Sequence, residues 1–200
     1  MKIKQLFLNP FADFSEGTLF LVGIIGFLLS SYLIYLSGQQ FNGFMHFYKP
    51  EVTVSFIAVL KVHTYMVLAP LILLYPLILL YIVGVVANNK TRIIDVLNVI
   101  LIAPFPLYLM LLLSKLINQD KFTNEIDQAL KNGDHTLSSI DKGQMVLFGL
   151  FGIFVLFLLF YQFYLLVKGM NIAVNNKKIW VSILFVALYF MLDLGIQFYF

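Results

Sequence analysis

In a chain of 200 residues, 61% are apolar, 16% aromatic and only 12% charged, and the mean hydropathy is +0.93. Soluble domains carry about 25% charged residues, so this composition excludes an ordinary soluble enzyme and a disordered tail. The net charge of +3 is scattered, which leaves no nucleic-acid stripe, and the absence of cysteine excludes a disulfide framework, a thiolate metal site and a cysteine nucleophile.

Along the chain, Ile3, Phe7, Phe11 and Phe14 recur at helical spacing. Asn9 followed by Pro10 supplies a cap and a first helical position. Residues 1–17 are therefore read as a short segment lying in the membrane interface on the cytoplasmic side. Crossing roughly 30 Å of hydrocarbon takes about 20 apolar residues, and runs of that kind cover 18–36, 56–87, 93–113, 146–167 and 179–200. Continuous apolar runs are unlike the period-two alternation of a membrane β-barrel. The predicted fold class is all-α, a polytopic bundle of five transmembrane helices over residues 18–200 with short interfacial amphipathic helices. The first span is expected to stay as an anchor, because Asp13 and Glu16 precede it and no A-x-A-like cleavage site follows.

Within the first span, Gly23, Gly26 and Ser30 share a face; Gly149 and Gly152 do so in the fourth. Lipid offers no hydrophobic drive for helices to associate, so small residues mark close packing, and these two faces are expected to meet. The second run holds Pro70 and Pro76 but no polar turn, and is read as one tilted or kinked helix. The third run opens with Thr91 as an expected N-cap, Arg92 beside Asp95, and Asn98 one turn on. A charge-compensated helix start accounts for Asp95, and an ion-binding or proton-relay role is the alternative. Pro104 and Pro106 further along predict a kink.

The segment 118–143 is expected to hold an amphipathic surface helix. Phe122, Ile126 and Leu130 repeat every four residues there, and the turn signal Asn132-Gly133-Asp134 follows. In the last span Asp193 stands in an otherwise apolar stretch. Either it pairs with His63 or Lys61 inside the bundle, or it snorkels to the outer interface. His46, His63 and His135 lack the i, i+4 spacing of a helical zinc site. No H-E-x-x-H, G-x-S-x-G or P-loop occurs. No metal, cofactor or catalytic residue is predicted.

Orientation rests on basic residues. Seven fall on the predicted inner side and six on the outer, but the two short inner connections, 88–92 and 168–178, hold five of them and no acid. The N-terminus is therefore placed in the cytoplasm and the C-terminus outside, in a plasma or inner membrane.

Three stretches together resemble bacterial members of the Yip family of membrane proteins. These are Leu8-Asn9-Pro10-Phe11, the run from Thr91 to Asn98 leading into Ala103-Pro104-Phe105-Pro106, and Lys168-Gly169-Met170-Asn171-Ile172-Ala173. The resemblance implies a five-span helical bundle with a cytoplasmic N-terminus. In eukaryotic members it also implies a role in vesicle traffic through Rab GTPases. Here no long N-terminal region and no Asp-Leu-Tyr-Gly-Pro-type motif precedes the first span, so a Rab-type GTPase is not carried over as a partner. The expected function is a non-enzymatic membrane scaffold or adaptor. Its expected partners are the lipid bilayer and a membrane protein or a second copy, with no nucleic acid. The alternative is a transporter or channel component using Asp95, Asn98, His63 and Asp193.

Overall fold

The computed structural model describes residues 8–38, 40–41, 47–48, 54–68, 76–116, 119–135 and 140–199. Helix α1 (Pro10–Asp13) starts at Pro10, whose fixed φ suits a first helical position; Asn9 precedes it without a side-chain cap bond. Ile3 and Phe7 of the predicted foot lie outside the described residues. Helix α2 (Glu16–Ser37) is capped by Ser15, which accepts from the Thr18 amide at 3.3 Å, and stops at Gly38 in the left-handed region (φ +69°). A two-residue antiparallel ladder follows, β1 (Gln40–Phe41) with β2 (Phe47–Tyr48), pairing Gln40 with Tyr48.

The second run yields α3 (Phe56–Leu68) and α4 (Pro76–Ala87), with Pro76 opening the latter. The junction expected to tilt or kink, residues 69–75 with Pro70, lies outside the described residues. The third run is also two helices, α5 (Ile93–Ile102) and α6 (Phe105–Leu116). Pro104 and Pro106 supply no amide hydrogen, so the backbone tightens between them, the Leu107 amide bonding the Pro104 carbonyl at 2.9 Å. Helix α7 (Gln119–Lys131) ends at Gly133 (φ +78°), within the predicted turn. Phe122 stacks on Phe148 at 3.8 Å, docking α7 on α8, whereas Leu130 of the same predicted stripe is exposed.

Helix α8 (Lys142–Ala173) is longer at both ends than the predicted span. Asp141 caps it by accepting from the Gly143 amide at 3.0 Å, and no breaker intervenes until Asn175, held at φ +50°. The expected 168–178 connection thereby shrinks to a tight turn at 174–178 before α9 (Ile179–Tyr199). Among the described residues, three helical stretches are long and apolar enough to cross a membrane: Glu16–Ser37, Ile93–Ser114 (α5 and α6 taken together) and Lys142–Ala173. Three shorter apolar helices accompany them there: Phe56–Val67, Leu77–Ala87 and Ile179–Gly195. The α5–α6 pair is the hub, 67% buried against 33% for α2 and 22% for α8. Val96, Val99, Leu101, Leu107 and Leu111 fill the space between it, α2 and α8.

The expected meeting of Gly23 and Gly26 with Gly149 and Gly152 is corrected. A Cβ on Gly23 would lie 2.9 Å from Leu101, and one on Gly26 would lie against Phe105, so the first span closes on the third. Gly149 and Gly152 have nothing within 4 Å of a Cβ. The hub's bulky Leu101 and Phe105 fill the glycine groove of α2, whereas the face of α8 that carries Gly149 and Gly152 is open.

Candidate functional site

Polar side chains within the apolar bundle fall into two groups. The first lies where α2 and α5 begin. Arg92 makes a two-pronged contact with Asp95, Nε to Oδ2 at 3.0 Å and Nη2 to Oδ1 at 2.7 Å, and its Nη2 also reaches Glu16 at 2.7 Å. Its hydrogen bonds to Asp95, then those to Glu16, push the guanidinium pKa up from its ordinary value. Buried Asn98 donates to the Glu16 carbonyl at 3.3 Å, while its own Oδ1 finds no hydrogen-bond partner. Arg92 and Asn98 thus fasten the start of α5 to that of α2, with Asp95 holding the guanidinium in place. Thr91, expected to cap α5, instead donates to the carbonyls of Gly84 (3.0 Å) and Asn88 (2.7 Å), and Arg92 occupies the cap position without a side-chain bond. The Thr91 hydroxyl is turned back toward α4 because Gly84 leaves room there; a Cβ on it would lie 3.0 Å from Thr91.

The second group lies in the interior, about 20 Å along the hub at 1.5 Å per residue from Asp95 to Tyr108. His63, on α3, is fully buried and stacks on Phe27 at 4.1 Å. Its Nδ1 bonds the Ser31 hydroxyl and its Nε2 the Tyr108 hydroxyl, the latter at 2.9 Å. Ser31 gives its one proton to the Phe27 carbonyl at 2.9 Å. The Tyr108 hydroxyl also bonds Ser30, which donates to the Phe27 carbonyl at 2.8 Å. The imidazole thus bridges α2 and α6 within one buried network of hydroxyls.

Gln162, fully buried on α8, donates to the Tyr189 hydroxyl of α9 at 3.3 Å, and its Oε1 is buried without a hydrogen-bond partner. Asp193, one turn beyond Tyr189, is also fully buried, which replaces the expected alternative of a carboxylate at the outer interface. Of its two predicted partners, Lys61 is exposed, whereas His63 is buried and bonds the Ser31 and Tyr108 hydroxyls. Among the described residues no group of three His, Asp or Glu side chains could hold a metal ion.

Residues 12–196 match the model of the Yip1 domain. The chain belongs to the Yip1 domain family. It is accordingly a membrane protein, and its long apolar helices have the length and composition to cross the bilayer. No curated protein and no solved structure matches it. In this Yip1 domain sequence reasoning passed over Tyr108, Ser31, Gln162 and Tyr189. Gln162 was findable, being the only amide between residues 146 and 167. Tyr108 and Tyr189 carried no signal, because the chain has 11 tyrosines and most suit an interface equally well. A further close packing point is Gly169, where a Cβ would lie 2.7 Å from Val99 and 2.9 Å from Phe11, seating the foot helix against α8.

Proposed function

We propose that this Yip1 domain protein is a non-enzymatic scaffold or adaptor that organises the membrane, or traffic within it, through contacts between helices. The reading takes the bundle as five spans in the cell membrane, N-terminus in the cytoplasm and C-terminus outside. One observation carries it. The first two-thirds of α8 turns an uncovered face outward, with Ile153, Phe157 and Phe160 between 64% and 70% exposed beside the open Gly149 and Gly152. Small residues flanked by large apolar ones give a helix from another protein, or from a second copy, a surface to approach closely. The polar groups at the start of α2 and α5 are spent on tying helices together.

Extraction in mild detergent, with identification of co-purifying proteins and lipids, tests the proposal. A membrane protein or a second copy is expected to be retained, and to be lost from a variant with Gly149→Leu and Gly152→Leu that keeps its yield and thermal stability. A chain that purifies alone, or keeps the same companions in that variant, overturns the reading.

A transporter or channel component is the second reading, favoured by the buried Asp193 and the orphaned Gln162 oxygen. Polar groups at such depth are costly and commonly mark ion pathways. Proteoliposomes carrying a proton or sodium gradient discriminate between the two. Flux above that of protein-free vesicles, abolished by Asp193→Asn, would establish the second reading and remove the first.

A further inference from the structure

The structure assigns to the turn between α8 and α9 a binding site for an anionic phospholipid. Apolar clefts open on both sides of this turn. The one between α4 and α9, about 550 Å³, is walled by Val83, Val86, Leu184 and Trp180 and rimmed by Lys177 and Lys178. The other, about 520 Å³, runs between α8 and α9 and is rimmed by Lys168 and again Lys177. No acidic side chain lines either cleft. Of the described carboxylates on α1, α2 and α5 at this end of the bundle, Asp13 is exposed and lines neither cleft, and Glu16 and Asp95 are occupied by Arg92.

The lysines stand on a built turn. Asn176 donates to Asn171 Oδ1 at 3.0 Å and to the Lys178 carbonyl at 2.9 Å, and accepts from the Lys178 amide at 2.9 Å. Ser182 donates to the same Asn171 oxygen at 2.9 Å, and Asn88 ties α4 to the Val174 carbonyl at 2.8 Å. With Asn175 held at φ +50°, the backbone carrying the two cations is pinned at the mouth of the cleft. Trp180 is 58% exposed and Val86 83% exposed on its walls. An indole at the rim suits the headgroup level and the apolar wall suits an acyl chain. A phosphodiester is the group that matches two ammonium ions, without an acidic partner among the described residues, above such a wall. Free phosphate would satisfy the lysines and leave the apolar wall unused, so the occupant is a lipid.

The test uses the full chain, purified in detergent, exposed to equal amounts of dioleoylphosphatidylglycerol and dioleoylphosphatidylcholine, with bound lipid read by native mass spectrometry. Wild type is expected to retain the anionic lipid preferentially. The Lys177→Gln, Lys178→Gln variant is expected to lose that preference by roughly 25-fold, about fivefold per lysine. A Lys131→Gln, Lys142→Gln variant at the other end of the bundle should keep it, and raising salt should weaken it. Equal retention of both lipids by wild type, or an undiminished preference in the Lys177/Lys178 variant, overturns the assignment. Displacement of the lipid by an equal concentration of glycerol 3-phosphate would identify a free-phosphate site and overturn it too.

Discussion

Gly169 and Gly149 lie on one helix in opposite surroundings. Val99 is β-branched and almost fully buried, so it cannot retreat from a methyl group added at Gly169. Gly169→Ala is expected to cost about 1–3 kcal/mol by overpacking, whereas Gly149→Ala should stay within about 0.5 kcal/mol. Gly26→Ala should fall between them, since the Phe105 ring it would strike borders a cleft of about 400 Å³ into which it can swing. Thermal unfolding in detergent checks the order. Tyr108→Phe removes the hydroxyl that bonds His63 Nε2 and should cost about 1 kcal/mol, within the range of interhelical hydrogen bonds in membranes. Small residues were legible in sequence as packing points. Which of them pack was not, because that depends on where a bulky partner such as Leu101 or Val99 falls in space. His63 and Asp193 were legible as costly side chains, but the partners of His63 are an ordinary serine and an ordinary tyrosine.

Helix α1 shows how an element can be recognised and its role still misjudged. The spacing of Phe11 and Phe14 predicts a foot resting on lipid, and the structure buries Phe11 against Gly169. The Tyr164 hydroxyl donates to the Leu8 carbonyl at 2.7 Å, a second tie from α8. Tyr164→Phe is expected to speed hydrogen exchange of the amides around residues 11–14 several-fold, leaving those of α5 unchanged; equal exchange would show that Phe11 alone holds the foot. The runs were legible because charge and turn residues bound them. Their breaks were less so: Pro104 and Pro106 announce a kink, yet whether a proline bends a helix or divides it depends on neighbours that re-satisfy the freed carbonyls. The extra turns of α8 were hidden because Lys142 and Lys168 read as charges outside the span, although the helix begins at Lys142 and runs on past Lys168 to Ala173.

At the scale of the whole molecule, composition alone established a helical membrane protein, and the entry into the third span pointed to the family. Function was far less legible. Of the polar side chains that single themselves out in sequence, Asn98 ties one helix start to another and Asp95 holds Arg92, and the face proposed for a partner is made of residues that look like lipid-facing ones. The most direct measurement is photo-crosslinking in intact membranes, with a photoreactive phenylalanine analogue placed in turn at Ile153, Phe157, Leu166 and Met170. The first two are 67% and 64% exposed, and the last two are buried. The account predicts a discrete adduct with a membrane protein or a second copy at Ile153 and Phe157, and none at Leu166 or Met170. Adducts with lipid alone at both exposed positions would contradict it.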